Sequence, residues 1–188
     1  REMLPFVIEE FGSVVKMFEL ALRNPDLSIE AMNFAVQRLI DRILFLRICE
    51  DRGTEPENQL FDMLDRGKDY YKHLFAIFQQ ADEKYNSGLF RLRYDRNRRA
   101  TRPDRITPFI HVDDKVIASI IWDLYYPNSP YQFDVIPADI LGQVYEQFLG
   151  KVIRLTKGHR AKVEEKPEVK KAGGVYYTPT YIVNYIVE

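Results

Sequence analysis

The 188-residue chain carries 27 lysines and arginines against 28 aspartates and glutamates, a formal net charge of −1, so any nucleic-acid site must be a local patch rather than a global pull. Hydrophobic residues make up 46% and aromatics 13%, which excludes a disordered chain and fits one domain or one and a half. Cys49 is the single cysteine, excluding an intramolecular disulfide and a thiolate zinc cluster, and no apolar run reaches the ~20 residues of a membrane span.

Phe6 to Leu22 places Val7, Phe11, Val14, Val15, Phe18 and Leu22 at helical spacing, and Asn24-Pro25-Asp26 ends that helix. Ser28 is positioned to cap a second, longer helix. There Met32, Val36, Leu39, Ile43 and Leu46 recur at steps of three and four, and Leu44, Phe45 and Ile48 widen the stripe. Gly53 supplies a left-handed stop. A third helix is expected from Lys68 to Tyr85, with Tyr71, Leu74, Phe75 and Phe78 inward, stopping at Asn86-Ser87-Gly88. Leu89 to Pro108 is polar, arginine-rich and aperiodic, and reads as an extended excursion. Asp113 then caps a short helix with Val116, Ile117, Ile120, Ile121 and Leu124 on its apolar face. Tyr125 to Pro130 is a turn, and Pro137 opens a helix ended by Gly150. Val152 to Leu155 and Ala161 to Glu164 flank Lys157-Gly158 as a β-hairpin, and Glu164 to Lys171 is a charged linker. The fold expected is mainly α. A helical bundle occupies 1–88, the arginine-rich loop and connector helices 89–150, and the hairpin, linker and final motif 151–188.

Between Arg91 and Arg105 lie seven arginines (Arg91, Arg93, Arg96, Arg98, Arg99, Arg102 and Arg105) against Asp95 and Asp104, a local charge of +5. Guanidinium forks suit phosphate oxygens, and an aperiodic loop can follow a nucleic-acid backbone without reading bases. Phe90 and Tyr94 interleave with them. A helical module contacting nucleic acid or protein through this segment is one reading, and a salt-bridged loop on acidic helix faces is the other. Asp104 with Asp113-x-Lys115 imitates a metal-nuclease pattern, but Asp113 reads better as a helix cap. His73, His111 and His159 have no partner at metal-ligand spacing, so no metal site is assigned.

The last sixteen residues are the most specific. Gly173-Gly174 frees the backbone, Val175-Tyr176-Tyr177 reads as a short β segment, and Thr178 with Pro179 reads as a helix N-cap and first helical position. Ile182, Val183, Ile186 and Val187 follow on an apolar face with no partner surface in sight. Free N–H groups at such a helix start suit a carboxylate or phosphate. Gly-Gly-Val-Tyr-Tyr-Thr-Pro followed by Ile-Val-x-Tyr-Ile-Val resembles the first motif of the N6-adenine DNA methyltransferases of type IIG restriction–modification enzymes, and of phage-exclusion methyltransferases. Two further stretches are similar to the same proteins in the same order. Asp139 to Gly150 resembles the helix preceding the catalytic domain, and Arg38 to Gly53 resembles the helical linker.

The resemblance implies a helical connector followed by the opening of a truncated α/β methyltransferase domain, within a protein that methylates adenine N6 using S-adenosylmethionine. It implies double-stranded DNA as partner, the remaining domains of the parent chain around this piece, and Mg2+ where the parent carries a nuclease domain. Tyr176, Tyr177, Thr178 and Pro179 are carried over as cofactor-side residues. The Pro-Pro-Tyr or Pro-Pro-Phe catalytic tetrapeptide and the glycine-rich cofactor turn of the family do not occur here. Both are expected beyond Glu188, so no catalytic residue is assigned and the piece is expected to be inactive alone. A cytoplasmic setting without membrane partners is expected.

Overall fold

The computed structural model describes residues 26–94, 102–129, 151–155, 161–165 and 180–187. Those residues are mainly helical, as expected. The first two stretches fall in one compact unit, Ser13–Phe133, and the last three in another, Arg1–Gly12 with Asp134–Glu188. The expected helices at Phe6 to Leu22 and after Pro137 lie outside the described residues, as does the segment Gly173 to Pro179.

Helix α1 (Ile29–Asp51) starts where its sequence says it should. Ser28 is extended, and its Oγ accepts from the Ala31 N–H at 3.2 Å, satisfying one of the donors a helix start leaves free. At the other end Gly53 adopts φ +69°. Its N–H reaches the Glu50 carbonyl and the Thr54 N–H reaches Cys49, at 2.9 and 2.8 Å, the paired closure that a left-handed residue after a helix permits. The apolar stripe is buried as its spacing requires: Leu39, Ile43 and Leu46 are each 1% exposed. Cys49 is free and half-buried.

The chain between Gly53 and Tyr70 is more structured than its sequence advertises. A one-turn helix α2 (Gln59–Asp62) runs into a 3₁₀ turn (Met63–Arg66) that Gly67 ends at φ +80°. Leu60 and Met63 plug the core from this segment. Helix α3 (Tyr70–Tyr85) buries Leu74, Phe78 and Ala81 and stops at Asn86, a left-handed residue at φ 48°. Its N-terminus is capped from a distance, since the N–H groups of Asp69 and Tyr70 both donate to the Asp114 carboxylate at 2.8 Å. Asp114 opens helix α4 (Asp114–Asp123). Asp113 holds that helix's N-cap position, but its side chain makes no capping hydrogen bond. The carboxylate that caps belongs to the next residue, and it serves a different helix.

Ile117, Ile120 and Ile121 of α4 face inward, and Trp122 is half-exposed against Phe61. Phe90 is fully buried and joins Phe45, Phe78 and Tyr85 in an aromatic cluster with centroid separations of 5.0 to 6.3 Å, so the start of the arginine segment belongs to the core. Tyr94, four residues on, is exposed.

In the other unit, β1 (Lys151–Leu155) pairs antiparallel with β2 (Ala161–Glu165), Ile153 opposite Val163. Helix α5 (Thr180–Val187) leaves Ile182, Tyr185, Ile186 and Val187 exposed, and Thr178 and Pro179, expected as its cap and first position, lie outside the described residues.

Candidate nucleic-acid interface

The arginine segment is described at its two ends, its feet, up to Tyr94 and from Arg102, and one buried arginine holds both. Arg42 sits in the middle of α1 beside Ile43, with 0% of its surface exposed. Its Nε donates to the Leu89 carbonyl at 2.9 Å, its Nη1 to the Thr107 hydroxyl at 2.8 Å, and its Nη2 to the Asp104 carboxylate at 2.8 Å. The face of the Phe78 ring lies 5.5 Å from the guanidinium carbon. Leu89 precedes the arginine run, while Asp104 and Thr107 follow most of it. A planar fork with donors in fixed directions can join three separate strands of chain in this way, and a lysine cannot.

Asp104 is correspondingly well held. Besides Arg42 it accepts the Thr107 hydroxyl at 2.6 Å and the N–H groups of Ile106 and Thr107 at 2.9 and 3.1 Å. Burial alone would push its carboxyl up. The Thr107 hydroxyl, the two amides and the Arg42 charge outweigh that and hold it below the usual carboxylate range. Burial pulls Arg42 down, against the Asp104 charge. The Tyr71 hydroxyl donates to the Thr107 carbonyl at 2.5 Å, tying the returning foot to α3; burial pushes that phenol well up. The outgoing foot is tied to α3 as well, because the Leu92 N–H donates to Asp82 at 3.1 Å. The two feet meet directly where the Asp104 N–H donates to the Arg91 carbonyl at 2.8 Å.

The seven arginines of the sequence pattern therefore separate. Arg91 is 2% exposed, which removes its guanidinium from any solvent-facing set. Arg93 is 65% exposed and pairs with the equally open Glu83 at 3.1 Å, a contact of the kind worth ~0–1 kcal/mol. Arg102 and Arg105 are exposed on either side of Asp104. Arg96, Arg98 and Arg99 lie outside the described residues. Because Asp104 is turned inward onto Arg42, it does not offset the two arginines beside it; burial of Arg91 removes one positive charge in the same way, so the net charge exposed at the feet equals the sequence count for those residues.

The carboxylates of the metal-nuclease pattern do not converge. Asp104 is committed to Arg42 and Thr107, Asp113 lies at the start of α4, and Lys115 is exposed. Among the described residues no group of three or more His, Cys, Asp or Glu could hold a metal ion. His73 Nδ1 lies 3.2 Å from an Arg66 nitrogen, His111 is exposed, and His159 is outside the described residues. No helix of the described residues is long and apolar enough to cross a membrane.

Sequence reading missed Arg42 as the residue that organises this surface. The available signal was a charged residue beside Ile43, between Leu39 and Leu46, in a stripe otherwise apolar on that side. Tyr176, Tyr177, Thr178 and Pro179 lie outside the described residues, directly before α5.

The chain is 35% identical, over an alignment of 193 residues, to the type II restriction enzyme and methyltransferase RM.Eco57I of Escherichia coli. This chain is homologous to part of a type II restriction enzyme and methyltransferase. The alignment takes in 99% of the chain and 18% of that relative, so the chain spans under a fifth of the relative's length. No family model matches the chain, and no solved structure matches it.

Proposed function

We propose that this chain is the helical connector and the opening segment of the methyltransferase domain of a restriction–modification or phage-defence enzyme, whose full-length form methylates adenine N6 in double-stranded DNA. The observation that carries the reading is the identity to the restriction enzyme and methyltransferase across 99% of the chain. The order of three motif-like stretches, Arg38 to Gly53, Asp139 to Gly150 and Gly173 to Val187, supports it. S-adenosylmethionine supplies the electrophilic methyl group in such an enzyme. Tyr176, Tyr177, Thr178 and Pro179 are the residues proposed to hold its methionine end. The start of α5 at Thr180 supports that assignment, since the first N–H groups of a helix lack intrahelical acceptors and suit a carboxylate. Mg2+ would serve DNA cleavage where the full protein has a nuclease domain. The connector contributes no catalytic group in this reading. It spaces the domains and contacts DNA phosphates through Arg93, Arg102 and Arg105, with Arg96, Arg98 and Arg99 assigned to the same role by the sequence pattern alone.

The full-length protein, incubated with duplex DNA and S-adenosylmethionine and followed by nucleoside analysis, is expected to yield N6-methyladenine. Replacing Thr178 and Tyr177 together with Val and Ala is expected to raise the concentration of cofactor required. Methylation on cytosine, or on no base of a large mixed-sequence DNA, would overturn the reading.

A further inference from the structure

We propose that Arg42 is the positioning residue for phosphate contact by the arginine segment: a side chain that never reaches DNA fixes the base from which Arg102 and Arg105 project. The proposal rests on the reading that this segment touches DNA. Three observations point to it. Arg42 bonds to the chain on both sides of the segment, at Leu89 and at Asp104 and Thr107, each within 2.9 Å. Asp104 lies between Arg102 and Arg105 in sequence, and its carboxylate points inward onto Arg42 while its two neighbours are exposed, so Arg42 both places those arginines and removes the one negative charge between them. The feet are closed on each other by the bond from the Asp104 N–H to the Arg91 carbonyl, an arrangement the Arg42 fork holds in register.

The physical consequence is preorganisation. A long arginine side chain on a loose backbone surrenders loop and rotamer entropy when it meets a phosphate, and a fixed base reduces that cost. Breaking the Arg42–Asp104 link has a second effect, because an Asp104 carboxylate released to solvent would sit between two phosphate-binding charges and repel the same phosphate. Arg42 thus acts on affinity without contributing a contact of its own.

The test uses the full-length protein with a 20-base-pair mixed-sequence duplex, affinity measured across a salt series, and amide exchange read at Asp104, Ile106 and Thr107. Arg102→Ala with Arg105→Ala removes two phosphate contacts. It is expected to flatten the plot of log affinity against log salt by about 1.8 at ~0.9 per contact, with exchange at the feet unchanged. Arg42→Met keeps the apolar stem and deletes the fork. It is expected to lower affinity about tenfold, the equivalent of ~1.4 kcal/mol, and to accelerate exchange at Asp104 and Thr107. Should Arg42→Met fail to fold, Thr107→Val, which deletes only the hydroxyl between Arg42 and Asp104, is expected to give the same pair of effects at a few-fold. Faster exchange in the Arg42 or Thr107 variant with affinity unchanged, while the Arg102 and Arg105 variant binds more weakly, would overturn the positioning role and leave phosphate contact standing. Unchanged affinity and slope in all variants would overturn both.

Discussion

Two buried carboxylates, Asp104 and Glu50, each sit beside an arginine of α1, and they are pushed in opposite directions. Asp104 receives one arginine nitrogen, one hydroxyl and two amides, all at 3.1 Å or less. Glu50 receives the Tyr125 hydroxyl and the Leu60 N–H, the latter at 2.9 Å. Its arginine, Arg47, lies 3.5 Å away and is divided among other partners. Arg47 also bonds Asp51 and the Leu124 carbonyl, and stacks 4.1 Å from the centre of the Tyr125 ring. Burial wins at Glu50 and pushes its carboxyl up, against Tyr125, Leu60 and Arg47. At Asp104 the directed donors win. Proximity of an arginine does not by itself hold a buried carboxyl below its usual range. The number of donors aimed at it does.

The largest expected effect comes from removing the arginines. Arg42→Met leaves Asp104 buried without its counter-charge and is expected to cost about 3–5 kcal/mol, the range for breaking a buried pair. Arg47→Met is expected to cost about half of that or less, because Glu50 keeps two donors and Asp51 is more exposed. Denaturant unfolding of the two variants side by side checks this. Equal losses would show that donor number does not separate the two sites.

An intermediate effect should appear with pH. Asp104 has a folded value below its unfolded one, so its contribution is complete above the ordinary ~3.9 and is lost as pH falls through the lower folded value. Glu50 is the reverse. Its folded value is raised, so its contribution is complete below the ordinary ~4.3 and is lost as pH rises through the folded value. Amide exchange corrected for intrinsic rates, read at Thr107 for one site and Leu60 for the other, is expected to show protection moving in opposite directions between pH 3 and 7, a window set around those ordinary values. Asp104→Asn should abolish the trend at Thr107, and Glu50→Gln the trend at Leu60. Parallel trends in the unaltered protein would break the comparison.

The smallest expected effect is that of single hydroxyls. Tyr125→Phe is expected to cost about 1–3 kcal/mol, the range for a buried group left unsatisfied, and to raise the Glu50 carboxyl further, because that hydroxyl is the first opponent of burial there. Thr107→Val is expected to cost less than Tyr125→Phe, since Asp104 retains three donors. Carbon-detected titration of both carboxyls distinguishes these outcomes from a general loosening.

Helix α1 shows how much local sequence can carry. Ser28 at its start, Gly53 after its end and the stripe from Met32 to Leu46 can all be read from residues within four positions of each other, and the structure places each of them so. The same holds for the stop at Asn86. Local reading fails at residues 54–67, where α2 and the 3₁₀ turn are too short to show a period, so that the run Leu60, Phe61, Met63 and Leu64 does not reveal which residues turn inward. At Asp113 it is right in position and incomplete in chemistry. Asp113 holds the N-cap position of α4 without a side-chain capping bond, and the Asp114 carboxylate accepts from the start of another helix, 45 residues away in sequence.

The candidate interface divides along the same line. That arginines cluster between Arg91 and Arg105 is a property of the chain, since a local charge of +5 needs no fold. That Arg91 is buried, and that Asp104 is paired inward with Arg42, 62 residues away, while Arg102 and Arg105 stay exposed, is decided by the fold. Periodicity and capping rules reach about one helical turn, because they arise from backbone hydrogen bonds and neighbouring side chains. Which charges face solvent is set by contacts between segments distant in sequence, where desolvation of a carboxylate is weighed against the donors that packing brings to it.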